Sequence, residues 1–353
     1  MKCHPERSLA RFLRQTQSKD LRLRHLGLAL LSLTIAVPAQ TATAAPREHA
    51  AYILPDGSIQ IVTSSALTGV VRALNALYVS THPNIKFTMR EGDNYSAMAA
   101  LTFDRTAVAP LGTPFTRIGL GDNLKIAAEP LAFRIAHASL TPAPGATPAL
   151  GIIVNPANPI AALSLPKLTR IFAVGGPTGD IATWSQAGIT GPLADRAIHP
   201  AGPLPSDEQA SEDPQAGEFL SDRMGGLNVT HSYAAMSRYA DVIQRVAEDP
   251  AAIGIAALNQ PLANVKVIPL RNTDTGPAIA PTAAEIAAGR YPLDRFVYIY
   301  LRLGKGTPLD DFARDYMRTV LSEAGQRAIA AEAAGYIPLN AAELAEERAK
   351  LDR

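Results

Sequence analysis

Side chains that could do chemistry are spread through this sequence of 353 residues without forming a catalytic or metal-binding motif. The seven histidines are His4, His25, His49, His82, His137, His199 and His231. None of them repeats at the H-x-x-x-H spacing of a metal site. No G-x-S-x-G nucleophile elbow and no Walker phosphate loop occurs either. We therefore predict no catalytic residues, no metal and no cofactor.

Two polar segments lie where a predicted strand meets a predicted helix. Ser64 and Ser65 follow residues 57–63, which alternate in polarity and are rich in β-branched residues, a pattern typical of a strand. Apolar residues at helical spacing then predict a helix over residues 67–80. A second strand is predicted over residues 85–89, and the turn 91–94 precedes a short helix candidate at 95–101. This order indicates a βαβ unit, and N-capping alone would explain the two serines.

An acidic window covers residues 201–219. It contains no Lys or Arg, and its carboxylates are Asp207, Glu208, Glu212, Asp213 and Glu218. The window lacks the glycine and the spacing of an EF-hand loop. Because runs of charge usually face water, residues 201–217 are interpreted as a solvated loop.

Charge is distributed unevenly along the chain. The totals of 33 basic and 32 acidic residues are nearly equal, but residues 1–25 carry seven basic and only two acidic side chains. A twelve-residue apolar run, too short for a membrane helix, and the sequence Ala42-Thr43-Ala44 follow. These parts predict a signal peptide over residues 1–44, with an uncleaved anchor as the alternative. The remaining 309 residues hold no cysteine, carry a net charge of −4 and do not suit nucleic acid binding.

The rest of the chain alternates between strands and helices. Strands are predicted over residues 150–154, 253–258 and 296–301, and helices over residues 164–172, 239–247 and 308–334. A Pro- and Gly-rich break at 141–148 marks a domain edge. The pattern predicts an α/β protein with two lobes.

Several segments carry a resemblance to a known family. They are Tyr-Pro-Leu-Asp-Arg-Phe-Val-Tyr-Ile-Tyr at 291–300, Val-Leu-Ser-Glu-Ala-Gly-Gln at 320–326, Gly-Tyr-Ile-Pro-Leu at 335–339, Val-Asn-Pro-Ala-Asn-Pro-Ile at 154–160 and the helix–strand unit 246–254. The chain resembles the periplasmic phosphate-binding proteins of phosphate ABC transporters. The resemblance implies a bilobal Venus-flytrap fold of type II, with two mainly parallel sheets and ligand in the cleft. Lobe 1 would comprise residues 45–148 and 261–353, and lobe 2 residues 149–260.

The same resemblance implies three ligand-binding segments in the first lobe. The residues at the matching positions are Ser64, Ser65, Asp93, Asn94, Ser96, Gly112 and Thr113. Two departures stand out: Val108 occupies the position of the family's proton-accepting Asp, and the acidic window replaces an Arg followed by Ser-Gly-Thr. Arg134 and Arg238 are the candidates for a substitute anion anchor.

The resulting hypothesis is an exported, monomeric solute-binding protein without enzymatic activity, located in the periplasm or secreted. It would bind phosphate or a similar small anion and present it to an ABC permease. Two alternatives remain open. One is a diverged scaffold or sensor that no longer binds phosphate, and the other is a secreted phosphatase on the same fold.

Overall fold

The computed structural model describes residues 46, 50–112, 114, 130–204, 211–303 and 308–352, without the side chains of residues 214, 215 and 218. The predicted signal peptide therefore lies outside the described residues. The strands are β1 Ile59–Ser64, β2 Phe87–Gly92, β3 Ala109–Leu111, β4 Leu131–Ser139, β5 Leu150–Val154, β6 Leu163–Ser164, β7 His199–Pro203, β8 Ala234–Met236, β9 Ala252–Ala257, β10 Lys266–Ile268, β11 Leu270–Arg271, β12 Phe296–Leu301 and β13 Tyr336–Pro338. The helices are α1 Thr68–Thr81, α2 Asn94–Thr102, α3 Leu165–Phe172, α4 Trp184–Ala187, α5 Pro214–Arg223, α6 Tyr239–Glu248, α7 Ala283–Ala287, α8 Asp311–Val320, α9 Glu323–Ala330 and α10 Ala341–Ala349. Within these residues, no helix is both long and apolar enough to span a bilayer.

The predicted α/β class is confirmed, and the strand pairing is more mixed than the predicted mainly parallel sheets. Strands β1 and β2 pair in parallel around α1, as the βαβ pattern predicts. A five-stranded sheet has the order β10-β5-β9-β7-β8, with parallel β7–β8 and β7–β9 pairs and antiparallel pairs at β5. In the four-stranded sheet β13-β4-β12-β3, every pair is antiparallel.

Two of the predicted elements differ from the structure. The helix predicted over 308–334 is two helices, α8 and α9, separated by a turn at which the Ser322 hydroxyl accepts the Gly325 amide. Gly325 packs so closely on the preceding turn that a Cβ there would lie 2.3 Å from the Thr319 carbonyl oxygen. The loop predicted over 201–217 contains the end of β7 and the start of α5. Strand β7 was not predicted, because it contains proline and glycine, which are usually depleted in strands.

Two large hydrophobic clusters form the core. One is built from residues between 50 and 146 and between 297 and 351, and it contains α1, α8 and most of the four-stranded sheet. The other is built from residues 138–293 around the five-stranded sheet. The predicted lobe boundaries stay a prediction, and the core memberships favour a return of the chain to the first cluster after Leu293.

A buried ion pair lies beside the chain segments that connect the two clusters. Arg295, only 1 % exposed, precedes β12, and its Nη1 and Nη2 donate to the two carboxylate oxygens of Asp213 at 2.7 and 3.2 Å. Tyr239 donates its hydroxyl to the same carboxylate at 2.9 Å. Arg295 Nη1 also donates to the Pro148 carbonyl at 3.2 Å. The pair thus fixes the start of α5 to both connecting segments.

A second buried charge cluster holds the C-terminal helix α10. His137, on β4, has Asp294 2.7 Å from Nδ1 and Glu343 3.0 Å from Nε2. Burial alone would lower the histidine pKa, but the two carboxylates outweigh it and raise the pKa to about 9. Carboxylates facing both ring nitrogens fit a protonated imidazole better than a metal ligand, because a metal would have to displace the Asp294 hydrogen bond or the Glu343 ion-pair contact.

We expect the stability of the protein to fall at alkaline pH through His137. A folded-state pKa of about 9, raised from 6.5, gives a contribution that is complete below about pH 6.5 and is lost as the pH rises through 9. A shift of this size corresponds to about 3 kcal/mol at most. Urea unfolding of the wild type and of His137→Gln at pH 6, 8 and 10 measures the difference. A difference that stays constant over this range would contradict the assignment.

We expect Asp213→Asn to lower the free energy of unfolding by about 3 kcal/mol, because it leaves the buried Arg295 charge unpaired. The double variant Asp213→Leu/Arg295→Met should lose less, since it removes both charges. Glu323→Gln is the matched control, because its ion pair with Arg327 is exposed and exposed pairs contribute little. Equal unfolding midpoints for Asp213→Asn and Glu323→Gln in urea would refute a stabilising role of the pair.

Candidate functional site

Three predicted segments meet at one edge of the first cluster. In the parallel β1–β2 pair, Ser64 is in register with Gly92, so both strands end side by side. The segment leading into β3 lies against β1, because Ala107 donates its amide to the Gln60 carbonyl at 3.0 Å. Carboxyl ends of strands in open α/β proteins are where ligands usually bind.

The first segment has an unused hydrogen-bonding group. Ser64 is 4 % exposed, and its hydroxyl has no hydrogen-bond partner among the described residues and does not cap the following turn. Residues 65–67 form a 3₁₀ turn that continues into the 14-residue α1, and Ser65 is exposed. The first N–H groups of a helix lack acceptors within the helix. A buried hydroxyl next to such groups is a place where an anion can be bound.

In the second segment, the Asp93 carboxylate already accepts a hydrogen bond from the backbone at the start of α2. Asp93 caps α2 and accepts the Ser96 amide at 2.6 Å. Hydrogen bonds from the Ser96 side chain and then from its backbone hold the Asp93 pKa below its usual value. Asp93 and Ser96 are both exposed, and they are hydrogen-bonded to each other. The predicted roles of Asp93 and Ser96 as ligand contacts stay predictions.

The third segment touches the other two. The Gly112 amide donates to the Asn94 side-chain oxygen at 3.3 Å. A Cβ on Gly112 would lie 3.1 Å from the Ala66 Cβ and 2.5 Å from the Thr147 hydroxyl oxygen. Glycine is therefore required at this position for the close approach. Thr113 lies outside the described residues.

Two residues that the sequence analysis missed support these segments. Thr147 donates its hydroxyl to the Gly112 carbonyl at 2.7 Å. Tyr336, on β13, accepts the Thr147 amide at 3.0 Å and donates its hydroxyl to the Ala66 carbonyl at 3.0 Å. Both are buried. Their distance along the chain from Ala66 left no local signal, although Tyr336 is part of the Gly-Tyr-Ile-Pro-Leu segment.

Acidic side chains border this edge. Glu91, in register with Thr63, accepts the Thr68 hydroxyl at 2.9 Å, and Asp93 follows two residues later. The predicted substitute anchors are engaged elsewhere: Arg134 binds Glu346 and Glu347, and the exposed Arg238 pairs with Asp241, so the structure does not bring either to these segments. Among the groups described above, backbone N–H groups and hydroxyls are therefore the donors that an anion would meet at these segments.

Part of the acidic window belongs to the described residues. Asp213 contradicts the interpretation of a solvated loop, because it is buried and its charge is compensated by Arg295. Glu212 is exposed and accepts the Tyr239 amide at 2.6 Å. Asp207, Glu208 and the Glu218 side chain lie outside the described residues. No sequence pattern signals that Asp213 and Arg295 pair across 82 positions.

The departure at Val108 has a clear counterpart in the structure. The side chain is fully buried and apolar, and the Val108 carbonyl accepts the Thr106 hydroxyl at 2.5 Å. The neighbouring Asp104 lies within 4.0 Å of Arg302. Val108 has no carboxylate to offer, and the Asp104 carboxylate accepts the Ala51 amide at 3.4 Å.

Comparison with known proteins places these features in a family. A family model described as the PBP superfamily domain matches residues 39–324. The phosphate-binding protein PstS of Pseudomonas aeruginosa is 25 % identical over 330 residues, which cover 91 % of this chain and 96 % of that protein.

Solved structures agree on the fold. An ABC-type phosphate transport receptor from Vibrio cholerae aligns with a TM-score of 0.50 at 20 % identity, covering 78 % of this chain and 99 % of that one. PstS from Borrelia burgdorferi aligns with a TM-score of 0.51 at 16 % identity, covering 80 % and 99 %. The chain belongs to the family described as the PBP superfamily domain. Within this family it is a phosphate-binding-protein-like member with the type II periplasmic binding protein fold.

Proposed function

We propose that the protein is exported, binds phosphate or a similar small oxyanion between two lobes, and presents it to an ABC permease. The observation that carries this proposal is the buried hydroxyl of Ser64, which precedes the 65–67 turn and has no partner among the described residues. Leaving a buried polar group without a partner costs free energy, and a bound anion would remove that cost. The name of the Pseudomonas aeruginosa relative supports phosphate as the first ligand to test.

Binding would need no covalent chemistry. The amides of the 65–67 turn and the Ser64 hydroxyl would donate to the oxyanion, and the dipole of α1 would favour its negative charge. Asn94 and Gly112 would frame the opposite side of the same site. Closure of the second lobe would exclude water and strengthen these hydrogen bonds.

The carboxylates of Glu91 and Asp93 favour one alternative, a diverged protein that has lost phosphate binding. Two like charges about 4 Å apart repel each other by about 4 kcal/mol when partly desolvated. Hydrogen bonds from Thr68 to Glu91 and from Ser96 to Asp93 disperse part of this negative charge. The proposal therefore assigns the main contacts of the oxyanion to the Ser64 hydroxyl and the 65–67 amides, with Asn94 and Gly112 on the opposite side.

We expect the purified protein, dialysed free of phosphate, to bind phosphate with a dissociation constant near micromolar in calorimetry. Such a value corresponds to about −8 kcal/mol, which several charge-assisted hydrogen bonds can supply. Sulfate in the same titration reports selectivity. No heat and no binding at millimolar phosphate would overturn the proposal in favour of the diverged alternative. Turnover of a chromogenic phosphate ester would favour the phosphatase instead.

We expect Ser64→Ala to weaken phosphate binding by about tenfold or more without lowering stability. The hydroxyl makes no bond in the ligand-free protein, so its removal should leave the free energy of unfolding within about 0.5 kcal/mol or raise it. A hydrogen bond to a charged ligand is worth about 1.5–3 kcal/mol. Calorimetry and urea unfolding measure the two effects.

The matched control is Thr106→Val, which removes a buried hydroxyl from the same region. This hydroxyl accepts the Val62 amide at 2.8 Å and donates to the Val108 carbonyl. We expect it to cost about 1–3 kcal/mol of stability and to leave phosphate affinity much less changed. Loss of stability in Ser64→Ala equal to that in Thr106→Val would contradict the role given to Ser64.

A further inference from the structure

A buried tyrosine hydroxyl joins two segments of the chain at the candidate site. Tyr336 is 2 % exposed, and its hydroxyl is used in both directions, accepting the Thr147 amide and donating to the Ala66 carbonyl, each at 3.0 Å. Ala66 lies in the turn that directly follows Ser64 and Ser65. Both partners of the Tyr336 hydroxyl are therefore backbone atoms of loop segments, and neither is a side chain of the core.

Thr147 extends the contact to the third segment. Its hydroxyl donates to the Gly112 carbonyl at 2.7 Å, and the Gly112 amide donates to Asn94 at 3.3 Å. Through Tyr336 and Thr147, the turns after β1 and β3 are held against each other, and Asn94 joins the start of α2 to them. Neither Tyr336 nor Thr147 needs to touch a ligand for this effect.

The same support continues into the second cluster. Pro148 follows Thr147 directly, and its carbonyl accepts Nη1 of Arg295 at 3.2 Å. Arg295 is in turn paired with Asp213 at the start of α5. A series of hydrogen bonds, joined by the peptide bond between Thr147 and Pro148, thus links the turn at Ala66 to Asp213 at the start of α5.

We infer that Tyr336 and Thr147 are positioning residues of the oxyanion site, which rests on the function proposed above. Amide donors bind an anion tightly when they are held in place before it arrives, because less conformational freedom is then lost on binding. Without the Tyr336 hydroxyl, the 65–67 turn and the Gly112 segment lose their common support. The Ser64 hydroxyl and the amides of the 65–67 turn would then no longer be held in a fixed arrangement.

Tyr336→Phe and Thr147→Val test this inference, because each removes one hydroxyl at nearly constant volume. We expect phosphate binding to weaken about tenfold in each, the effect of about 1.4 kcal/mol. Thr147→Ser keeps the hydroxyl and should restore the affinity. Tyr316→Phe is the matched control, since this tyrosine is fully buried in the same cluster and donates to the Asn75 side chain at 2.8 Å. It should lose comparable stability and bind phosphate as the wild type does.

Amide hydrogen exchange in the ligand-free proteins separates this inference from the proposed function. If the wild type binds phosphate, affinity decides: wild-type affinity in Tyr336→Phe, or equal weakening in Tyr316→Phe, overturns the positioning role. If the wild type binds no phosphate, the proposed function fails and exchange decides. Faster exchange across residues 62–72 and 109–112 in Tyr336→Phe than in Tyr316→Phe then supports the role, and equal exchange in the two variants overturns it.

Discussion

A guanidinium group buried as completely as that of Arg295 must find its counter-charge inside the protein, and this requirement organises the connection between the two clusters. Removing a charge from water costs several kcal/mol unless a partner with good geometry compensates. Asp213 supplies that partner through two hydrogen bonds, Tyr239 donates to the same carboxylate, and the Pro148 carbonyl accepts a further bond from Nη1. The start of α5, the start of α6 and both connecting segments are consequently held around one ion pair.

The ion pair also changes how the acidic window bears on function. Read as a sequence, the window placed a block of negative charge where an anion binder would need positive charge. In the structure, the charge of Asp213 is neutralised internally, so it does not repel a ligand. In the proposed site, the attraction for an oxyanion would come from the Ser64 hydroxyl and from helix amides. Such sites depend on geometry more than on net charge, because neutral donors act only when they point at the ligand.

The sequence predicted much of the fold because the relevant signals are local. Alternation located β1 to within two residues and aromatics at alternate positions located β12, β5 was predicted as a short apolar strand, and helical spacing located α1, α3 and α6. Prediction from the sequence failed where tertiary packing produced a structure that the local composition does not favour. Strand β7 contains proline and glycine yet lies inside a sheet. The helix predicted over 308–334 is interrupted after Val320, where the Ser322 hydroxyl accepts the Gly325 amide and caps α9. At the candidate site, the segments of Ser64, Asn94 and Gly112 were predicted from the resemblance, and the structure brings them together.

The sequence by itself determined the α/β class, the family and the segments that end at the candidate site, since all of these rest on short local patterns and their order along the chain. Only the tertiary structure decided which groups are free to bind. It left the Ser64 hydroxyl without a partner, engaged Asp93 with Ser96, and placed Tyr336 and Thr147 behind the site turns. The physical reason is that hydrogen bonding and charge compensation between residues up to 270 positions apart depend on distances in space. Those distances exist only once the chain has folded.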